Sequence, residues 1–384
     1  MTGDDVLELL RGVVDPELGS DIVDLGMVRS AEVSDDGVVS VDIALTTPGC
    51  PLKHQIDRDV TARVGAAAGV RDVVITWSAM TDAEKAACMA KARWNATQRA
   101  GQTNVPPAAR VLAVASGKGG VGKSSITVNL AAGLAAEGFA VGVLDADIGG
   151  FSVPRLLGVD GRLSGAHDEQ ARIAPHVKPL GRGRLEIVSM GFLVDDQQSA
   201  LVWRGQTLNR AVQHFFEDVQ WGADLDYLLI DMPPGTGDIQ IGLARLIPRA
   251  EMLVVTTPGR NVQSVAARAA DLAHKTYLHV AGVVENMTSF TCEHGTTYAL
   301  FGEGGGTELA ELIGAPLLGS IPLEPAVSAG GDAGTPAVLG EGPAADALRA
   351  LVRRVVDDVA PPVSMAGCSA RMLERVEAAL GPKP

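Results

Sequence analysis

The eight residues Gly117 to Ser124, GKGGVGKS, constrain this chain more than any other stretch. They fit G-x-x-x-x-G-K-[ST], a loop in which glycines let backbone N–H groups curl around phosphate. The lysine of the pattern reaches the β- and γ-phosphates and the hydroxyl meets Mg²⁺. The flanks suit the motif. Val111 to Ala115 is a short apolar run fit for a buried parallel strand, and Ile126 to Ala136 is Ala- and Leu-rich and free of proline, as a helix requires. The motif therefore sits at a strand-to-helix turn, where the helix N-terminus adds its own attraction for anions. Gly117, Lys118, Gly119, Gly120, Val121, Gly122, Lys123, Ser124 and Ser125 are the candidate nucleotide-binding residues.

Downstream, apolar runs alternate with helical stretches, which implies a parallel sheet covered on both faces. In such sheets ligands bind beyond the carboxyl ends of the strands. The run Val141 to Leu144 ends at Asp145-Ala146-Asp147. Asp147 is a candidate to orient an attacking water, and Asp145 is expected near Mg²⁺; the alternative is that both merely cap a helix. Asp226 to Asp231 reads as a strand ending in the acid that binds Mg²⁺, and Pro233 to Asp238 after it suits a loop that senses the γ-phosphate. Thr207 to Val219 is an expected amphipathic helix, while Gly158 to Arg184 shows no regular pattern. Val280 to Val284 leads into Glu285-Asn286, whose amide is placed to meet an adenine edge. Met287 to Gly306 reads as a loop carrying Cys292 and His294, a weak metal-ligand pair by itself.

The first 89 residues form a separate small α/β unit: a helix (Val6, Leu9, Leu10, Val13), a hairpin turning at Asp35-Asp36-Gly37, a helix (Leu52, Ile56, Val60, Val64) and a strand from Val73 to Trp77. Cys50 stands at the expected N-cap of its second helix with Pro51 at the first helical position. There the helix dipole lowers a thiol pKa and favours nucleophilic or metal-binding chemistry; the alternative is a small residue filling a turn. Cys88 lies in an Ala- and Lys-rich helical stretch and reads as structural. Residues 90–109 turn polar and end in Val105-Pro106-Pro107, a linker, 110–360 form the second domain, and 361–384 a C-terminal helical extension containing Cys368. The net charge of -14 argues against nucleic acid and anionic membrane as partners. No apolar run approaches the roughly 18 residues of a spanning helix, and the N-terminus is acidic, so a cytoplasmic protein is expected. The fold class is an α/β P-loop NTPase, its mostly parallel sheet flanked by helices, preceded by a small α/β domain.

Lys118, directly after the first glycine, is a second lysine that the ordinary loop does not require. KGGVGKS resembles the deviant Walker A loop of the MinD/ParA/nitrogenase-iron-protein class. Together with LDADIGGFSVPRLLG, SMGFL, WRG, DYLLIDMPPGTGDIQ, VENMTSF and FGEGGG, it resembles the Mrp/ApbC family of iron-sulfur cluster carriers over about residues 108–358. DPELGSDIVDLGMV and TTPGCP in the first domain are similar to a SufT-like cluster-assembly domain. The resemblance implies a homodimeric ATPase that uses ATP and Mg²⁺, works with iron-sulfur assembly proteins, and passes an iron-sulfur cluster to apoproteins. Lys118 would reach the nucleotide of the opposite subunit, Ser124 and Asp231 would hold Mg²⁺, and Cys292 would ligate the cluster.

One departure stands out. The family has Cys-x-x-Cys in the loop after NM, whereas this chain reads Cys292-Glu293-His294-Gly295, so two subunits supply two thiolates there and not four. His294, a carboxylate, Cys50 or Cys368 would have to complete the set. Gln206, where the family often has proline, is a minor difference. Two other readings compete: a nucleotide-switched scaffold ATPase in iron-sulfur assembly that holds no cluster, and a positioning ATPase acting on DNA or membrane.

Overall fold

The computed structural model describes residues 1–16, 18–46, 53–99, 103–147, 149–163, 172–192, 213–235, 238–275 and 278–363. The chain divides into two units near residue 101.

In the first unit, α1 (Gly3–Leu10) starts at Thr2, whose hydroxyl accepts the Asp5 N–H while the Asp5 carboxylate accepts the Thr2 N–H, a reciprocal cap. β1 (Val28–Val33) and β2 (Val38–Leu45) form the expected antiparallel hairpin. α2 (Lys53–Gly65) buries Ile56, Val60 and Val64 on one stripe, and β3 (Asp72–Ala79) lies parallel to β2. α3 runs Asp82–Arg99, so the linker expected from residue 90 falls inside a helix over its first ten residues. The polar composition there belongs to the outer face of α3, whose inner face places Cys88 and Ala92 in the core. Leu52, Cys50 and Pro51 lie outside the described residues.

The second unit is built on an eight-stranded sheet of order β13-β10-β9-β4-β8-β5-β7-β6. Its strands are β4 (Arg110–Ser116), β5 (Ala140–Asp145), β6 (His176–Leu180), β7 (Gly183–Ser189), β8 (Tyr227–Asp231), β9 (Glu251–Thr256), β10 (His279–Asn286) and β13 (Leu317–Ile321). All neighbours are parallel except β6 and β7. β4, β5 and β8 are apolar almost without a break because helices cover both faces of a parallel sheet. α4 (Lys123–Glu137) is buried over most of its length; its alanines let it pack close to the strands. Further α-helices are α5 (Val153–Leu157), α6 (Asp238–Leu246), α7 (Arg260–Lys275), α8 (Gly305–Ile313), α9 (Pro325–Asp332) and α10 (Pro343–Arg354).

Three details differ from the sequence expectation. The patternless stretch before Arg184 contains β6, an edge strand in which two of five residues are exposed and none is buried. The loop after Asn286 contains a hairpin of two-residue strands, β11 (Phe290–Thr291) and β12 (Thr297–Tyr298). α9 has no buried residue and so left no apolar stripe to read. Of the helix expected at 207–219, residues 213–217 are helical and 207–212 lie outside the described residues, as do Gln206 and the C-terminal extension from residue 364, Cys368 included.

Candidate functional site

β4 delivers the chain at Ser116, and the loop Gly117–Gly122 turns it into α4 at Lys123. Gly122 is the helix N-cap with φ 82°, and no side chain caps the helix, so its first N–H groups remain for an anion. A Cβ on Gly122 would lie 2.2 Å from the Asn286 amide nitrogen, so a side chain there would push Asn286 off the loop on top of straining a left-handed backbone. Lys118, Gly119 and Gly120 are exposed, whereas Lys123 is 6% exposed. The Ser116 hydroxyl donates to the Lys118 carbonyl at 2.9 Å and fixes the loop around the second lysine.

Asp231, at the end of β8 and fully buried, collects three side chains of α4. Lys123 Nζ lies at 2.7 Å, Ser124 Oγ donates at 2.6 Å and Thr127 Oγ1 donates at 2.9 Å. Asp147 Oδ2 is 3.9 Å from Lys123 Nζ. Four residues singled out from sequence, Lys123, Ser124, Asp147 and Asp231, thus share one polar cluster. Thr127 was missed; its signal is its place one helical turn after Lys123, on the same face.

Asp145 behaves as the capping alternative requires. Its Oδ2 accepts the Ser152 and Val153 N–H groups and the Ser189 hydroxyl. Burial, and then the Asp231 carboxylate, push its pKa up to about 7 against these donors. Burial likewise raises Asp147, and Asp231 adds to the rise while Lys123 opposes it. A carboxyl raised in this way is a better proton acceptor than an ordinary aspartate.

Beside Gly122 and Ser125 lies a cavity of about 240 Å³, walled by the ends of β10 and β13 and by α5 and α9. Asn286 and Met287 line it, as do Pro322, Leu323 and Glu324. The Asn286 amide donates to the Val121 carbonyl at 2.9 Å, so the residue expected to meet adenine reaches the cavity wall while gripping the phosphate loop. Met287 has φ 59°, the left-handed region, which costs a non-glycine residue about 1 kcal/mol or more. Arg155 and Asp332 pair across from α5 to α9 at this cavity. Neither was legible as a site residue, because each reads locally as an ordinary surface charge.

The Cys292 hairpin is a different environment. Cys292 N–H donates to the Thr296 carbonyl, and Gly295 N–H to the Cys292 carbonyl, closing a tight turn. The backbone N–H groups of His294 and Thr296 point at the sulfur and hold the thiol pKa below the usual value. Tyr298, Leu300 and Phe301, just after it, are about half exposed. Among the described residues no three His, Cys, Asp or Glu side chains group to hold a metal ion. Cys88, by contrast, is buried, and burial followed by the nearby Asp15 pushes its thiol up to about 11, an inert core position.

Residues 108–356 match the family described as NUBPL iron-transfer P-loop NTPase. That span is well over half of the chain. The chain belongs to the NUBPL iron-transfer P-loop NTPase family. Residues 3–77 match the family described as iron-sulfur cluster assembly protein. An iron-sulfur cluster carrier protein of Mycobacterium bovis is 44% identical over 337 residues, covering 86% of each chain. One from Deinococcus radiodurans is 44% identical over 360 residues, 93% of this chain and 95% of its own. Among solved structures, a nucleotide-binding protein of Archaeoglobus fulgidus in complex with ADP is 34% identical, with TM-score 0.50, over 59% of this chain and 86% of its own. For this iron-transfer NTPase, the fold class expected from the sequence is the observed one, and no described helix is long and apolar enough to cross a membrane.

Proposed function

We propose that this NTPase hydrolyses ATP with Mg²⁺ and, as a homodimer in the cytoplasm, carries an iron-sulfur cluster that it passes to apoproteins. The observation that carries the reading is the presence, in one unit of an iron-transfer NTPase, of a formed phosphate loop and a half-buried cysteine on an exposed hairpin, whose sulfur receives two backbone N–H groups. The N–H groups of Gly117 to Ser125 bind phosphate. Lys123 exchanges its contact with Asp231 for the β- and γ-phosphates. A hydroxyl and a carboxylate, Ser124 and Asp231, form the hard oxygen donor set that Mg²⁺ prefers. Mg²⁺ there supplies charge neutralisation on the phosphate oxygens. Asp147 orients the attacking water and accepts its proton. Asn286 turns toward the base in the adjoining cavity.

Lys118 is exposed on the loop, as a group that acts on a second protomer's nucleotide must be. The same dimer would bring two Cys292 thiolates together, with His294 in the same turn; Cys50 is the further candidate ligand. Recipient apoproteins and assembly partners would approach the exposed hairpin. A second reading, a nucleotide-switched scaffold without a cluster, draws support from Gly295 standing where a second cysteine would complete the hairpin, and from the lack of a three-ligand group among the described residues. Anaerobic reconstitution with iron and sulfide separates the two. The carrier reading expects iron, sulfide and visible absorption in the wild type and their loss in Cys292→Ala. Loss in Cys50→Ala alone would move the cargo to the first unit, and an empty wild type would favour the scaffold.

A further inference from the structure

Two neighbouring buried residues at the end of β10 face opposite ways, as successive strand residues do. The Asn286 side chain grips the phosphate loop through the Val121 carbonyl. Glu285, 5% exposed, does the reverse: its Oε1 accepts the Gly306 N–H in the first turn of α8 at 2.7 Å, and its Oε2 accepts the Ser320 hydroxyl of β13. Gly306 sits directly on this side chain, since a Cβ there would lie 2.6 Å from the Glu285 Cβ.

Residues 287–304, which carry the Cys292 hairpin, leave the sheet at Asn286 and return at α8. Both ends are therefore fastened to this one pair. The outgoing limb is also tied to the cavity strand: Thr288 N–H donates to the Ile321 carbonyl and Leu323 N–H to the Ser289 carbonyl. Asn286, Met287 and Leu323 line the cavity, so a nucleoside bound there would touch residues that are each part of that limb or one bond or hydrogen bond from it. Met287 between them holds a left-handed backbone, a conformation that persists only while its surroundings enforce it.

We propose that Glu285 is a positioning residue that couples nucleotide occupancy to the exposure of the Cys292 hairpin. Occupancy of the cavity shifts the Asn286–Met287 backbone, and the Glu285 carboxylate carries that shift to Gly306, so that both ends of the hairpin segment move as a unit. Glu285 touches neither phosphate nor cargo. The inference rests on the reading of Cys292 as the cargo ligand, but its test needs no cluster.

The test uses the full-length protein without a cluster. The alkylation rate of Cys292 by N-ethylmaleimide is followed by peptide mass spectrometry, with and without Mg²⁺ and a non-hydrolysable ATP analogue. The wild-type rate is expected to change about fivefold or more on nucleotide binding. Glu285→Ala should abolish that response while leaving analogue binding intact. Glu285→Gln, which keeps an oxygen for the Gly306 N–H, should restore it. A response that survives in Glu285→Ala, that is missing from the wild type, or that Gln fails to restore would overturn the proposal. Should Glu285→Ala not fold, hydrogen exchange at the Gly306 amide of the wild type decides: its protection changes with nucleotide if the coupling exists and stays constant if it does not. Cluster loss in Cys292→Ala is read separately, so failure of the carrier reading leaves a different signature.

Discussion

The phosphate loop and the Cys292 hairpin belong to one unit yet are built on opposite physical terms. Around Asp231 the polar groups are buried and satisfy one another: an ammonium and two hydroxyls converge on one carboxylate at the end of a central strand. Such a cluster is costly to break, because removing one partner leaves a buried charge unpaired. The hairpin is held by strands of two residues, its cysteine is only half-buried, and the residues around it face water. A group that must be handed on needs that accessibility, whereas phosphate chemistry needs a cradle formed in advance.

Substitutions can break this contrast, and the largest effect is expected at Lys118. Lys118→Ala should lower ATP turnover about 10³-fold if the lysine acts across a dimer as an arginine finger does. Equilibrium nucleotide binding should change little; unaltered turnover would remove the trans role. Gly122→Ala comes next. Its Cβ would strike Asn286 at 2.2 Å from a left-handed backbone, and we expect about 2 to 4 kcal/mol of lost stability in denaturant melts. Gly295→Ala sharpens the comparison. Its φ is also positive, 80°, but a Cβ there meets nothing within 4 Å, so the cost should be about 1 kcal/mol, from the backbone alone. Equal costs at the two glycines would mean that the hairpin is as tightly built as the loop.

A pH series tests the buried side of the contrast. Asp145 has a folded pKa of about 7 against an ordinary 3.8, so the folded state binds more protons than the unfolded one between these values. Its contribution to stability therefore falls as pH rises from about 4 to about 7. Asp145→Asn should flatten that slope in the nucleotide-free protein, and an unchanged slope in urea melts would contradict the assignment. The smallest effect is expected for Cys292→Ala, which should leave stability within about 0.5 kcal/mol because the side chain packs against little.

What was legible in the sequence follows the same division. The loop Gly117–Ser124, the strand ending at Asp231 and the strand before Asn286 announce themselves by apolar runs and fixed spacing, because a buried parallel sheet dictates both. The role of Thr127 depends on where β8 ends relative to α4, which is a tertiary fact. α9 was missed because its sequence, PAVSAGGD, buries nothing and so shows no period, although it walls the cavity. β6 was missed because an edge strand containing Pro179 lacks the continuous apolar run of its neighbours. The start of the linker was misjudged because α3 turns its polar face outward between residues 90 and 99, and composition alone does not separate a solvated helix from a spacer. The grip of Glu285 on Gly306 joins residues 21 apart through a bond that no local pattern encodes.

The most direct test of the account is cluster transfer. Reconstituted wild type and Cys292→Ala would each be mixed anaerobically with an apo form of a cluster-dependent enzyme, and the recovery of that enzyme's activity followed over time. The account expects recovery from the wild type and none above the iron-and-sulfide background from Cys292→Ala, with ATP turnover unchanged between the two. Equal recovery from both proteins would contradict it.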